Sequence, residues 1–95
     1  MNIELKKQIE SLPDLPGVYQ YYNIQNEIIY VGKAKNLKKR VSSYFNKTHD
    51  NTKTNVLVKN IVSLKYIVVD TEENALLLEN NLIKQYQPRY NVLLK

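Results

Sequence analysis

The chain has no cysteine and only one histidine, and each of these scarcities excludes a class of chemistry. Without cysteine, neither disulfide bonds nor thiolate zinc sites can form, and His49 alone cannot build an imidazole cage. Any metal must therefore bind to oxygen ligands, which favours one Mg²⁺ or Mn²⁺ ion. With two glycines and one histidine, the chain also offers neither a phosphate-binding loop nor a nucleophilic triad.

Long hydrophobic runs are missing as well. The longest apolar stretches contain four residues, as from Ile28 to Val31, whereas a helix that crosses a bilayer needs ~20. The first twelve residues are interrupted by charges and do not form a secretory segment. We therefore expect a cytoplasmic protein without membrane contact. The 95 residues predict a single domain, 1–95, and the apolar tail before Lys95 is typical of an N-terminal fragment of a longer protein.

Positive charge is concentrated in the middle of the chain. Residues 28–69 contain nine Lys or Arg and one acid, a balance of +8, whereas the other residues have five bases and eight acids, a balance of −3. Five cations lie within eight residues: Lys33, Lys35, Lys38, Lys39 and Arg40. Such a cluster favours a polyanion, usually nucleic acid, because neutralised phosphates release counterions. A solvated helix face is the alternative that composition leaves open.

The order of predicted elements alternates helices and strands. Strands at 17–22 and 28–32 form a hairpin in which Tyr19 and Tyr21 share one face, and Ile28 and Tyr30 share one face. A third strand covers 64–69. Helices are predicted at the N-terminus, from the N-cap Asn36 to Phe45, around 56–60, and from an acidic first turn at 72–73 to the residues before Pro88. Residues 46–54 are predicted to form a mobile loop.

One acidic residue stands out in the last helix. Helical periodicity places Glu79 inside an apolar stripe formed by Ala75, Leu82, Ile83 and Tyr86. A carboxylate in such a stripe is costly unless a cation or hydrogen-bond donors accompany it. The residue is therefore either paired with a Lys or Arg as part of the packing, or it acts as a metal ligand or general base.

Four further residues could meet this carboxylate. If the last helix packs across the sheet, Tyr19 and Tyr30 would share one surface with Lys33, Arg40 and Glu79. Each tyrosine taken singly has a structural reading instead, since half-buried strands are rich in tyrosine.

Two triplets identify the relationship of this chain. Gly17-Val18-Tyr19 is followed after ten residues by Tyr30-Val31-Gly32, which resembles the paired signature of the GIY-YIG nuclease family with Val in place of Ile in both triplets. The segments 30–45 and 73–95 extend the resemblance to the bacterial excision-repair branch of the family. It covers nearly the whole chain and is weakest at 46–55. The implied fold is α+β, a small three-stranded antiparallel sheet flanked by helices.

The resemblance also implies a set of site residues. Glu79 corresponds to the metal-binding glutamate of the family, Tyr19 and Tyr30 to its signature tyrosines, and Lys33 and Arg40 to its basic residues. Tyr30 is implied as a candidate general base, and Arg40 as a group that stabilises charge on the phosphoryl oxygens. Further active-site positions fall on Tyr44 and Asn91. With the lysines Lys35, Lys38 and Lys39, these two residues are expected to contact the substrate.

The implied activity is divalent-metal-dependent hydrolysis of a phosphodiester bond in DNA. In the repair branch this is the incision 3' to a lesion in damaged duplex, made together with a damage-loading partner protein. Two alternatives remain open at this stage: a nucleic-acid-binding module of the same fold that does not cut, and a stand-alone endonuclease of the family. The triplets and charges alone do not separate them.

Overall fold

We analysed a computed structural model of the chain, which describes residues 1–46 and 52–93. The helices and strands follow in the order α1 (Ile3–Glu10), β1 (Gly17–Tyr22), β2 (Ile28–Ala34), α2 (Leu37–Asn46), α3 (Thr52–Asn60), β3 (Ser63–Val68), α4 (Glu72–Tyr86) and α5 (Arg89–Leu93). No helix among the described residues has both the length and the apolar character needed to cross a membrane.

The sheet has three antiparallel strands in the order β2-β1-β3. The central strand β1 is buried at every position, whereas β2 has a free edge. Between β1 and β2 the register shifts from Tyr21 opposite Tyr30 to Tyr22 opposite Ile28, so that Ile29 is an extra residue in β2. Such a bulge interrupts the alternation of side chains.

The bulge overturns one prediction. Ile28 and Tyr30 do not share a face: Tyr30 packs against the cluster that contains Tyr19 and Tyr21, whereas Ile28 packs against Val18 and Val31. A strict period of two would have placed Ile28 with Tyr30, and the extra residue Ile29 breaks that period. The bulge thus lies immediately before the candidate base Tyr30.

Each face of the sheet has its own hydrophobic core. The face with Tyr19, Tyr21 and Tyr30, which we call the tyrosine face, packs against apolar residues of α1, α2, α3 and α5. The opposite face presents Val18 and Val31 to α4. Helix α4 therefore covers the face that does not carry the tyrosines.

The helix boundaries follow from their capping residues. The Asn36 side chain accepts a hydrogen bond from the Lys39 backbone N–H at 3.0 Å, and the Thr71 side chain accepts one from Asn74 at 3.1 Å, as N-caps do. Helix α4 ends where Gln87 adopts a left-handed conformation with φ 45°. Pro88 follows and cannot continue a helix, so the chain turns and α5 packs beside β2.

The predicted loop at 46–54 is wrong for its last three residues. Thr52, Lys53 and Thr54 form the first turn of α3, which therefore begins four residues before the predicted helix start at Val56. Leu57 is buried and anchors this helix to the core. The first residue of the predicted loop, Asn46, is also wrongly predicted, since it is the last residue of α2. Residues 47–51, including His49, lie outside the described residues. The apolar tail is also helical from Arg89 to Leu93, although no helix was predicted there.

Candidate active site

Three phenols form the centre of the candidate site on the tyrosine face. The Tyr19 hydroxyl donates a hydrogen bond to the Tyr44 hydroxyl at 3.3 Å. The ring of Tyr30 has its centroid 6.3 Å from that of Tyr19 and 6.3 Å from that of Tyr44. Tyr19 and Tyr44 are buried, whereas Tyr30 is half-buried. Only Tyr30 of the three is thus substantially open to solvent.

Arg40 supplies the positive charge beside these phenols. Its guanidinium carbon lies 5.4 Å from the centroid of the Tyr44 ring, within the range of a cation–π interaction. The main cause that raises the pKa of Arg40 is a hydrogen bond that its guanidinium donates to the Tyr19 hydroxyl, so these two groups are in direct contact. Tyr19 thereby links Arg40 to Tyr44 and fixes the relative positions of cation and phenols.

Both glycines of the sequence motif are required by packing. A Cβ at Gly32 would collide with the Tyr19 ring and hydroxyl, because the two residues are cross-strand partners. A Cβ at Gly17 would collide with the Ile67 carbonyl oxygen on β3. Sequence reasoning gave these glycines no role. The signal was nevertheless present, since these are the only glycines in the chain and each lies in a strand, where glycine marks close approach.

Glu79 reaches the site from the opposite side of the sheet. Its helix, α4, covers the face with Val18 and Val31, so the expectation that all site residues share one surface is wrong. β2 is the edge strand, and Glu79 acts electrostatically on two of its residues, Lys33 and Tyr30. The site is therefore built around the free edge of β2, with tyrosines on one side and the carboxylate on the other.

The apolar stripe around Glu79 is shallower than predicted. Ala75 is the only buried residue of α4; Leu82 and Ile83 are half-buried, and Tyr86 is 49% exposed. Glu79 itself is half-buried. The stripe was predicted from periodicity alone. Periodicity does not reveal that the sheet beneath α4 is small and buries only part of the apolar face of this helix.

Partial burial alters the chemistry of the Glu79 carboxyl group. Desolvation raises its pKa above the ordinary value, while the ammonium and the backbone amide of Lys33 act in the opposite direction. The one ion pair among the described residues joins two other side chains, Lys35 and Glu72, at 3.3 Å. Lys33 thus balances the negative charge of Glu79 only in part, and a bound cation would balance it further.

Tyr30 holds its proton firmly in the protein environment. Burial is the largest cause that raises the pKa of this phenol, and the neighbouring Tyr44 raises it further. Arg40 lowers the pKa without offsetting these effects. Lys33 lowers the pKa of the Glu79 carboxyl group and is not among the groups that shift the pKa of Tyr30. Protein groups alone therefore leave Tyr30 neutral near pH 7.

The basic cluster divides between two places. Lys33, Lys35 and Arg40 line a cavity of about 200 Å³, with Glu72 and Ala75 of α4 on its other wall. Lys38 instead lines a separate groove against α1, and Lys39 is exposed without lining either. A phosphate in the cavity would meet three of the five clustered cations. The substrate contacts predicted for Lys38 and Lys39 stay predictions.

Asn91 lies against the edge of β2. Its side-chain oxygen accepts a hydrogen bond from the Val31 backbone N–H at 2.8 Å, and its side-chain nitrogen donates to the Val31 carbonyl oxygen at 2.8 Å. Both polar groups of the amide are thereby engaged with protein. The predicted substrate contact is not favoured by this geometry, which is that of a positioning residue next to Tyr30.

A metal ion at this site would have few protein ligands. Within 1–46 and 52–93, no group of three or more His, Cys, Asp or Glu residues lies close enough to bind one ion. Mg²⁺ commonly binds one or two carboxylates and keeps several waters. The single, half-buried Glu79 carboxylate with its raised pKa therefore suits a sparsely ligated magnesium ion.

The sequence matches a known family over most of its length. A family model described as the UvrC-like GIY-YIG domain matches residues 15–92. The chain belongs to this family. Residues 15–92 include both triplets, the basic segment after the second and the helix that carries Glu79, so every residue discussed above falls within the match.

The curated relatives are longer proteins of the same family. UvrABC system protein C of Flavobacterium psychrophilum is 72% identical over 91 residues, which cover 96% of this chain and 15% of the relative. Its counterpart in Bacteroides thetaiotaomicron is 66% identical over 94 residues, 99% of this chain and 15% of the relative. The chain thus spans 15% of the length of the relatives that it matches.

Solved structures of one UvrC domain resemble the chain closely. The GIY-YIG N-terminal endonuclease domain of UvrC from Thermotoga maritima, bound to its catalytic divalent cation magnesium, is 40% identical with a TM-score of 0.83, covering 95% of this chain and 98% of that one. A mutant of it with alanine in place of an asparagine, also bound to the cation, has a TM-score of 0.84 and 40% identity over 95% of this chain and 97% of that one.

These comparisons decide several of the predictions. The family and the α+β fold, a three-stranded antiparallel sheet with flanking helices, are confirmed. The predicted class of enzyme, a divalent-metal-dependent endonuclease, and the predicted magnesium cofactor agree with neighbours that are endonuclease domains bound to a catalytic cation. The roles assigned to individual residues stay predictions.

Proposed function

We propose that this domain hydrolyses a phosphodiester bond of DNA with the help of one divalent cation held by Glu79. The observation that carries the proposal is the arrangement around the edge of β2, where Tyr30 and Glu79 approach from opposite faces of the sheet and influence each other electrostatically. Because the phenols, the cations and the carboxylate are all present, we favour a nuclease rather than a module that only binds nucleic acid.

The protein groups divide the work of the reaction. A water oxygen forms a bond to phosphorus while the bond from phosphorus to the departing 3' oxygen breaks. The water loses a proton, and the departing oxygen takes up a proton from solvent. Arg40 donates hydrogen bonds to the phosphoryl oxygens, where its planar fork stabilises the growing negative charge. Lys33 and Lys35, which line the same cavity, hold the phosphate group against Arg40.

Tyr30 is placed to orient the attacking water and to accept its proton. The raised pKa keeps the phenol neutral in the protein alone, so the hydroxyl must lose its proton before it can act as a base. When bound, the cation supplies positive charge that lowers the pKa of groups nearby and stabilises charge on the phosphate. Tyr19 fixes the distance between Arg40 and the phenols through its hydroxyl contacts.

We further propose that the cut is the 3' incision beside a lesion in nucleotide excision repair, made in damaged duplex with a UvrB-type partner. The supporting observation is the family of longer UvrABC system C proteins to which the chain is similar. The described residues include no element that reads base edges, so lesion recognition is expected to come from the partner or from other domains.

The test is a nicking assay on supercoiled plasmid and on a lesion-containing duplex. We expect a single cut on the 3' side of the lesion with Mg²⁺ or Mn²⁺ when UvrB is added, no cut with EDTA, and only slow metal-dependent nicking of undamaged plasmid. Binding of DNA without any metal-dependent cut would overturn the nuclease proposal. Efficient cutting of undamaged duplex without UvrB would instead favour a stand-alone endonuclease.

A further inference from the structure

A cavity lies beyond the candidate site along β2 and α4. It has a volume of about 820 Å³ and is enclosed by the β1–β2 turn, the end of α3 and the turn between α4 and α5. We call it the edge groove. The residues that matter for its chemistry are Ile28, Lys59, Tyr86 and Arg89.

The edge groove combines cations with an open aromatic ring. Lys59 and Arg89 are exposed, and neither forms an ion pair with another described residue. The one acid in the lining, Glu27, accepts a hydrogen bond from the Asn23 side chain at 3.0 Å. Tyr86 is 49% exposed although it lies on the core side of α4. Surfaces that bind single-stranded nucleic acid combine positive charge with exposed aromatic rings in this way.

The position of the edge groove connects it to the candidate site. Tyr86 follows Glu79 by seven residues on the same helix, which places it ~10 Å further along the axis. Ile28 precedes Tyr30 by two residues on β2, with the bulge residue Ile29 between them. The edge groove thus continues from the candidate site along the same strand and helix, at a spacing of one or two nucleotides.

We propose that the edge groove binds one or two unpaired nucleotides of the DNA strand that flanks the incised phosphodiester. This inference rests on the proposed function. Lys59 and Arg89 contact the strand's phosphates, and Tyr86 stacks on a base. A cavity of about 820 Å³ has the size that encloses a small organic ligand. A base within a duplex is stacked on its neighbours and unavailable to Tyr86, so the occupant is unpaired.

The test measures binding of a single-stranded oligonucleotide in EDTA by fluorescence anisotropy. Lys59→Glu and Arg89→Glu should each weaken binding about tenfold and flatten the slope of log affinity against log salt by about 0.7 per lost phosphate contact. Tyr86→Ala should weaken binding about tenfold, and Tyr86→Phe, which keeps the stacking ring, should bind like the wild type. Lys65→Glu, on the opposite edge strand β3, is the control with the same charge change.

The outcomes separate this inference from the proposed function. Weakened single-strand binding in the groove variants, with Lys65→Glu and binding to intact duplex little changed, supports the inference. Equal losses in Lys65→Glu, or unchanged binding in Tyr86→Ala and Arg89→Glu, would overturn it. Hydrolysis of bis(p-nitrophenyl) phosphate, which is too small to reach the edge groove, should be equal in all variants. Absence of this hydrolysis in the wild type counts against the nuclease proposal. It does not change what the binding measurements say about the edge groove.

Discussion

The side-chain amide of Asn91 pairs with the backbone of Val31 through two hydrogen bonds of 2.8 Å, one donated and one accepted. This is the pattern by which a neighbouring strand would satisfy the free edge of β2. Val31 follows Tyr30 directly, so the contact joins α5 to the strand position that carries the candidate base. Sixty residues separate the two partners in the chain.

Asn91→Ala should lower both stability and activity. Removal of the amide leaves the Val31 N–H and carbonyl to water at a half-buried edge, and we expect a loss of about 1–2 kcal/mol in the free energy of unfolding. DNA cleavage should fall at least tenfold because the backbone beside Tyr30 is released. Chemical denaturation and single-turnover cleavage measure the two effects. Asn81→Ala, at an exposed position of α4, should change neither; equal effects there would contradict the positioning role.

Two tyrosines of the same cluster, one buried and one half-buried, provide a matched comparison. The Tyr21 hydroxyl is buried and has no hydrogen-bond partner among the described residues, whereas Tyr30 is half-buried. Tyr21→Phe removes an unsatisfied polar group and should stabilise the domain by up to about 1 kcal/mol with a near-normal cleavage rate. Tyr30→Phe should slow cleavage on the order of 10²-fold or more without a change in DNA affinity.

Single-turnover rates and anisotropy with DNA check this pair of variants. A near-normal cleavage rate for Tyr30→Phe would show that the Tyr30 hydroxyl is not needed for the reaction and that the residue acts only in packing. A severe loss in Tyr21→Phe would show that the cluster as a whole, and not the Tyr30 hydroxyl, controls the reaction.

Gly32→Ala should disable the site through Tyr19. The added Cβ collides with the Tyr19 ring and hydroxyl, so the phenol must move and its contact with Tyr44 is lost. We expect a destabilisation of about 1–3 kcal/mol, as for overpacking of a core, and a loss of cleavage. In a Tyr19→Ala background, where the ring is already absent, Gly32→Ala should cost little further stability. An equal loss of stability in both backgrounds would refute this steric account.

The pH dependence of stability should report on Glu79. Its pKa is raised in the folded domain mainly by burial, so the folded state favours the protonated carboxyl. That contribution to stability is complete below the ordinary pKa of a glutamate and is lost as the pH rises through the higher folded value. In metal-free buffer, Glu79→Gln should therefore be more stable than the wild type at neutral pH, and the two should converge in acid.

Thermal melts between pH 3 and pH 8 in EDTA test this expectation. Glu73→Gln, in the first turn of α4, has the same charge change and should instead lose a few tenths of a kcal/mol at neutral pH, because it removes a favourable interaction with the helix dipole. If Glu79→Gln were the less stable protein at neutral pH, the carboxylate would be well compensated within the domain.

Local chemistry made much of the fold predictable. The N-cap Asn36 was read correctly because capping depends on residues within one turn, and the stop before Pro88 follows from the proline ring. The bulge at Ile29 was missed because no local residue signals it, and it decides which face Tyr30 occupies. The early start of α3 was missed because Thr and Lys carry no apolar periodicity there.

The sequence was sufficient to propose the residues of the candidate site, but their arrangement around the sheet could not be predicted from it. Glu79 was found by its misfit among apolar neighbours, and Tyr19, Tyr30 and Arg40 by the resemblance to a family. Which face α4 covers depends on the packing of Val18 and Val31, which no pattern in α4 itself encodes. The pairing of Asn91 with Val31 joins residues sixty apart, and such contacts follow only from the folded chain.

Titration with Mn²⁺ tests the central claim most directly. The account predicts that the wild type and Glu73→Gln each bind one Mn²⁺ ion, measured by isothermal titration calorimetry, and that the ion raises the melting temperature of both. Glu79→Gln should fold, show no binding in the same range and gain no thermal stability from Mn²⁺. Undiminished binding of the ion by Glu79→Gln would contradict the account.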